Sequence, residues 1–474
     1  MHLLVIGLAL AVVVHDFHAM SADGVGMAWP GWALVGAAVL PELIGLLVMW
    51  GLTAGTARSL GRPGGRRWLL WHTRLRAVWP GVLLGLFAAK LWLGVLVFVR
   101  YRVGDWVMLD EMIVMAPTLG ALLLGWAAVY PVERRLRDAT LLRRLDQGLP
   151  VYPIWSRWQY VSAQFRFQVA VILLPLLLLM AWGESVVFMQ MYGWVGETAA
   201  AWMAPIGAGV ILLASPPLLT LVWDTTELPP GEVRDRLEAM CQRHGVRVRQ
   251  LLLWRTHGGM INAAVVGFIP PLRYVLLSDA LLEQVEPREV EAVMAHELAH
   301  VKHLHPVWLL GTAVVLLTGA QVVLSAGLAW GGVNVNGGDG FTLVLIASIA
   351  LWLAGFGWVS RRFERQADTF AARHMSEVLE EPEEMPAAPD GVLKRFTGRG
   401  VSAMAGALQR VADLNHIRPT RWEWRHGSIA QRQRNLRALE GAPAHTPSVD
   451  RLVGWIKAAT ALGFVAVVVW AATG

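Results

Sequence analysis

Nine apolar stretches, near 2–19, 31–55, 78–99, 107–130, 167–191, 201–223, 307–330, 341–359 and 452–471, set the terms on which this chain of 474 residues can fold. A hydrocarbon layer about 30 Å thick takes about 20 apolar residues of helix to cross, and within it every backbone N–H and C=O must be satisfied internally. The sequence therefore predicts an all-α polytopic membrane protein of about nine transmembrane helices. Charged residues make up only 16% of the chain, against roughly 25% in an ordinary soluble domain. The first stretch, "LLVIGLALAVVV" at its centre, is short enough for a signal-peptide core. It lacks a basic start and a small-residue cleavage site, so it is read as a retained span. The 24 Trp include many near span ends, such as Trp29, Trp79, Trp106, Trp202, Trp223, Trp308 and Trp330, where amphipathic rings anchor helices at the headgroups.

Basic residues give the expected orientation. Six of the 41 Lys and Arg lie in 56–77 and seven in 131–166, against Arg100 and Arg102 in the short loop after the third stretch. Basic loops stay in the cytoplasm. Alternation then predicts a cytoplasmic N-terminus, external tips at 192–200 and 331–340, and an external C-terminus. Both large polar regions, 224–306 and 360–450, fall inside. Although the net charge is +6, no aromatic-interleaved basic motif accompanies it, which argues against nucleic acid as a partner. The single Cys241 excludes an internal disulfide and any multi-cysteine metal site. The acidic, Pro-rich stretch "SEVLEEPEEMPAAPDG" (376–391) reads as a solvated loop. Glu42, Lys90, Asp110, Glu111 and Glu184 lie inside spans, where mutual pairing, Lys90 with Asp110 or Glu42, is the plain expectation and a water-filled cavity the other.

The polar regions carry the chemistry. "EPREVEAVMAHELAHVKHLH" opens with Pro287 and the acids Glu286, Glu289 and Glu291, which suit a helix start. His296 and His300 are then one turn apart on one face, about 6 Å along the axis, a gap that two metal–nitrogen bonds of about 2.0 Å span. Glu297 points near the same place, where a carboxylate can take a proton from an attacking water and pass it to a leaving amine. By His and Glu content alone, H-E-x-x-H would occur by chance in ~2% of such chains, so a third ligand is needed. His303 is about 10 Å from His296 on an unbroken helix, too far to share one ion. No glycine breaks the helix there, so His303 and His305 are read as interfacial residues ahead of Pro306. "SRRFERQADTFAARH" offers more: Glu364 and Asp368 share a face, one able to bind metal and the other to accept a proton from a ligand imidazole. The same pair on an Arg-rich helix would also suit a solvated salt-bridging face. "INAAVVG" reads as a short strand ended by Gly267, beside the active-site helix, whose edge could pair with an extended peptide along Asn262, Ala263, Ala264 and Val265; an ordinary hairpin strand is the alternative.

Four stretches together resemble the HtpX and CAAX prenyl protease family of integral-membrane zinc endopeptidases: "INAAVVGFIPPLRYVLLSDALLE" (261–283), "EVEAVMAHELAHVKHLH" (289–305), "RRFERQADTFAAR" (361–373) and "RHGSIAQRQRNL" (425–436). The resemblance covers about 225–440 and implies a mainly helical zincin-like protease domain carrying a small β-sheet. It implies one Zn2+ per chain held by His296, His300 and Glu364, with Glu297 as general base. It also implies that His426 and Arg432 lie near the carbonyl under attack and that Asn262 contacts substrate. Where the family usually has Pro after the C-terminal His, this chain has Gly427.

The expected organisation is a membrane domain of six spans (1–223), a first cytoplasmic protease segment (224–306), a transmembrane hairpin (307–359), a second protease segment (360–450) and a last span (452–471). The expected function is zinc-dependent cleavage of membrane or membrane-proximal proteins, for quality control or processing, in the bacterial inner membrane; 37 Arg against four Lys hint at a GC-rich bacterium. The alternatives are a signalling metalloprotease that cuts a regulator, and a transporter or scaffold with a vestigial zinc site.

Overall fold

The computed structural model describes residues 4, 5, 7–9, 11, 12, 29–63, 65–146, 148, 151, 152, 154–335, 338–379, 395–445 and 447–473. Most of the expected first span and the acidic stretch from residue 380 on lie outside the described residues. Among those described, eight helices are long and apolar enough to cross a membrane. The chain divides into two compact units, Met1–Trp223 and Asp224–Gly474.

The first unit contains α1 (Gly31–Ser59), α2 (Gly65–Trp92), α3 (Val95–Val103), α4 (Leu109–Asp146), α5 (Arg157–Met191) and α6 (Glu197–Val222). Its intramembrane charges are paired. Lys90 donates to Glu42 at 2.5 Å and to Thr118 at 2.9 Å, so the expected partner is Glu42 rather than Asp110. Asp110 and Glu111 instead each accept from Arg100 at 2.6 Å. The Glu184 carboxylate accepts from the Met108 amide at 2.6 Å. Paired in this way, these charges are held by partners, which lowers the cost of taking them out of water.

The second unit folds around a four-stranded mixed sheet. Its strands are β1 (Thr225–Glu227), β2 (Gln250–Trp254), β3 (Ala263–Val266) and β4 (Tyr274–Ser278), in the order β1-β2-β4-β3. Strand β4 is buried along its whole length, pairing parallel to β2 and antiparallel to β3, which suits its unbroken apolar run Tyr274–Leu277. β3 forms the opposite edge. Gly267 ends it at φ +106, where a Cβ would stand 2.1 Å from the Leu272 carbonyl oxygen, so only glycine fits this turn.

Around the sheet lie α7 (Glu232–Arg243), α8 (Asp279–Gln284), α9 (Pro287–Lys302), α12 (Gly398–Leu414) and α13 (Ile429–Arg437). The apolar helices α10 (His305–Trp330), α11 (Gly338–Leu379) and α14 (Ser448–Thr473) complete the unit. At 42 residues α11 is about 63 Å long, twice the hydrocarbon thickness, so its apolar first half and its polar second half cannot share one environment. The second half packs on α9 through small side chains: Ala299 meets Ala367 and Phe370, while Ala295 and Ala371 join the core with Val275, Leu298, Met375 and Met404. Small residues let two helices approach closely, and that seam sets the spacing of the site.

Candidate active site

Helix α9 starts with Pro287 in its first turn and Glu289 beside the positive end of its dipole. Two turns on, His296 and His300 project from one face with their Nε2 atoms 3.2 Å apart. Glu364 comes from α11 across the alanine seam, its Oε2 3.4 Å from His296 Nε2 and its Oε1 3.5 Å from His300 Nε2. One donor atom from each of the three lies within 4.8 Å of the others. Glu364 thus comes together with His296 and His300.

Whether the group fits a metal is answered by what its atoms lack. Glu364 is 5% exposed, and its Oε2 faces three nitrogens, His426 Nδ1 at 3.1 Å, His296 Nε2 at 3.4 Å and Arg432 Nη1 at 3.7 Å, without a hydrogen bond of good geometry to any of them. A buried carboxylate oxygen left so is costly unless a cation or donor meets it. Two imidazole nitrogens and a carboxylate within this distance are a donor set suited to Zn2+. The residues fit.

Electrostatics run the same way. Burial, helped by the positive charge on His296, pushes the His300 imidazole down to about 3, leaving it neutral as a ligand must be. At His296 burial works downward, but the Asp368 and Glu364 carboxylates overcome it and lift the ring to about 10. The pocket therefore favours positive charge at this point. Burial also pushes the Glu297 carboxyl up to about 7; the Glu364 charge adds to this, while His296, Arg432 and His426 oppose it. A carboxyl near 7 can both take and return a proton at neutral pH.

Asp368 lies one turn beyond Glu364, its Oδ1 3.0 Å from His296 Nδ1. Ser428 caps α13 by accepting from the Gln431 amide, and this start presents Arg432 to Asp368. The Arg432 guanidinium donates through Nε at 2.9 Å and Nη2 at 2.6 Å, while Nη1 stands 3.7 Å from Glu364 Oε2. Its fork is thus engaged with Asp368, a partnership that the sequence did not suggest. His426 Nδ1 is 3.1 Å from Glu364 Oε2, and its side chain is 45% exposed at the rim. Gly427, φ +74, follows it in a tight loop where Glu423 and Gly427 exchange backbone hydrogen bonds. Proline cannot take that conformation. Arg361 donates to the Trp424 carbonyl and Trp424 Nε1 to the Leu353 carbonyl, fixing the loop to α11.

Residues 263–266 form edge strand β3, with Ala263 buried and Ala264 and Val265 half-buried. Asn262, just before it, is exposed, and its backbone exchanges hydrogen bonds with Ser278 through the Ser278 amide and hydroxyl. His305, expected at the interface, is instead fully buried and hydrogen-bonded to His300, with Nδ1 atoms 2.9 Å apart. The reason is a break in the helix without glycine: Leu304 is left-handed at φ 54, which turns the chain back on itself.

Residues 227–422 match the sequence profile of Peptidase family M48. Among curated proteins, the chain is 28% identical over 184 residues to a protease HtpX homolog of Aeropyrum pernix, covering 37% of this chain and 56% of that one. It is 26% identical over 203 residues to protease HtpX homolog 2 of Methanosarcina acetivorans, covering 41% and 66%. With a protease HtpX homolog of Moorella thermoacetica the identity is 33% over 125 residues, covering 25% and 41%. The chain therefore spans between about two fifths and two thirds of the length of these relatives. The solved structure of S. mikatae Ste24p aligns with 87% of this chain and 100% of its own at a TM-score of 0.43 and 14% identity.

Proposed function

We propose that this chain, whose residues 227–422 match the sequence profile of Peptidase family M48, is a zinc-dependent endopeptidase that hydrolyses peptide bonds of membrane or membrane-proximal proteins. The observation that carries this reading is the convergence of His296, His300 and Glu364, from helices separated by a transmembrane hairpin, to within 4.8 Å of one another with Glu297 in the same turn. Zinc bound there supplies Lewis acidity and makes water a better nucleophile near neutral pH.

The protein's own groups do the rest. Glu297 takes a proton from the attacking water as the carbonyl carbon gains its new C–O bond, and delivers it to the amide nitrogen as the C–N bond breaks. Asp368, held by Arg432, keeps His296 in the tautomer that offers Nε2. His426, at the rim, is placed to donate to the carbonyl oxygen as charge builds there. A substrate in extended form adds along the free edge of β3 at Asn262–Val265, where main-chain pairing holds it without demanding a sequence.

Helix lengths support a membrane-proximal substrate. The apolar run of α11 ends near Val359, and Glu364 follows after about 7.5 Å of helix. An extended peptide at about 3.3 Å per residue crosses that gap in two or three residues. By the distribution of basic loops the domain faces the cytoplasm of a bacterial inner membrane, and quality control or processing is the role in keeping with that placement.

Purified protein should hold one zinc per chain. His300→Ala or Glu364→Ala should lose most of it, whereas Glu297→Gln should keep the metal and lose peptidase activity. Equal zinc in wild type and Glu364→Ala would overturn the ligand assignment.

A further inference from the structure

The two ligand histidines are supported in different ways. His296 Nδ1 faces the Asp368 carboxylate directly, but behind His300 there is no carboxylate. There is instead a second histidine. His300 Nδ1 lies 2.9 Å from His305 Nδ1, His305 Nε2 lies 2.8 Å from Gln366 Oε1, and Gln366 Nε2 donates to Asp450 Oδ1 at 2.7 Å.

Only one assignment of protons satisfies every link. If His300 offers Nε2 to the metal, its proton is on Nδ1 and must be donated to His305 Nδ1. His305 is then neutral with its proton on Nε2, which donates to the Gln366 carbonyl oxygen. The Gln366 amide has its N–H left for the Asp450 carboxylate. Three groups point their donors the same way and the chain ends on the Asp450 carboxylate, an arrangement in which each bond polarises the next.

The surroundings hold His305 to this task. Its ring stacks on Phe363 with centroids 4.5 Å apart and planes 12° from parallel, and it is fully buried. It reaches His300 only because Leu304 adopts φ 54, a left-handed conformation that a non-glycine residue rarely takes. On a continuous helix, residues five apart would be about 140° round the axis from each other and could not meet. Lys457 of α14 also donates to the His303 carbonyl at 2.7 Å, bracing the break from the helix that carries Asp450.

We propose that His305 is a positioning residue for His300, the first link of a hydrogen-bonded chain through Gln366 to Asp450 that fixes the ligand's tautomer and ties it to the last apolar helix. This rests on the zinc reading above.

The test is a zinc competition titration on the full-length protein in detergent, with the electronic spectrum of the Co2+-substituted protein as a second readout of ligand geometry. His305→Ala should bind zinc roughly 10- to 100-fold more weakly and shift the cobalt spectrum. His305→Asn, whose side-chain oxygen replaces the Nδ1 acceptor, should recover most of the affinity. Gln366→Leu should give a smaller loss in the same direction. Thr312→Val, which removes a buried hydroxyl of α10 bonded to Thr460, should match wild type and so controls for damage to that helix. Should His305→Ala fail to fold, the contrast between His305→Asn and Gln366→Leu decides. If wild type takes up no metal, the zinc reading falls and takes this inference with it. If wild type binds zinc and both His305→Ala and Gln366→Leu bind it equally well with unchanged cobalt spectra, the inference alone is overturned.

Discussion

Asp368→Asn changes one atom and tests two couplings at once. Both oxygens of the carboxylate are in use: Oδ1 faces His296 Nδ1 at 3.0 Å and Arg432 Nη2 at 2.6 Å, and Oδ2 accepts from Arg432 Nε at 2.9 Å. An amide has one oxygen. If it keeps the Oδ1 position, its NH2 meets the Arg432 Nε–H, donor against donor; turned round, it meets the proton of His296. Asp368 is 3% exposed, so water cannot repair either arrangement. Two losses follow. The first is a penalty on folding of about 3–5 kcal/mol, the usual cost of removing one partner from a buried pair and leaving its charge uncompensated. The second is a loss in zinc affinity of roughly 10- to 100-fold, or about 1.4 to 2.7 kcal/mol, for a ligand imidazole that has lost its orienting acceptor. Thermal unfolding of the metal-free protein reads the first and a competition titration the second. Asp368→Leu combined with Arg432→Met, which removes the acceptor and its cation together, separates them: this double variant should regain much of the stability but none of the affinity. Wild-type affinity in Asp368→Asn would refute the argument, whatever the stability.

Two further outcomes are expected. Gly427→Ala meets no atom closer than Arg361 Cδ at 3.6 Å, so its cost is that of a side chain at φ +74, about 1–2 kcal/mol in the His426 loop; kcat should fall with zinc content unchanged, and unchanged kcat would separate His426 from the reaction. Burial, with the charge of His374 adding to it, holds His244 down to about 3, so the unfolded chain takes up a proton below about pH 6.5 that the folded one refuses. Stability is full above that pH and declines as pH falls toward 3. His244→Phe should flatten the decline by up to roughly 1.4 kcal/mol per pH unit, measured by thermal unfolding, and an unaltered slope would contradict the assignment.

What could be read in the sequence was what depends on short spacing. His296, Glu297 and His300 share a turn, and Glu364 and Asp368 share another, so one helical period predicts both faces. The alternating hydropathy of eight helices was legible for the same reason. What escaped depends on the chain leaving a regular path. Leu304 carries no signal of left-handed backbone, since a leucine there is strained and only the completed fold compensates for it. With the break unseen, His305 was assigned to the interface and Gln366 and Asp450 had no role. Arg432 was expected near the carbonyl under attack, yet its guanidinium is bound to Asp368, a partner 64 positions away that no local pattern could supply.

The stretch Phe363–Asp368 explains how one helix serves both ligand histidines. At about 100° per residue, Glu364 and Asp368 lie about 40° apart, and Phe363 and Gln366 lie about 60° apart on a neighbouring stripe. Ala367 falls between the two stripes, fully buried against Ala299. The first stripe meets His296 and the second meets His305, so α9 and the start of α10 sit on adjacent faces of the same turn of α11. Any larger side chain at the point of contact would spread both sets of interactions together, because cores resist added volume by shifting the backbone. An alanine there is thus a geometric requirement of the site as much as of the fold. The sequence "FERQAD", in which only Glu364 and Asp368 carry an expected role, is used at every position that faces α9 or α10.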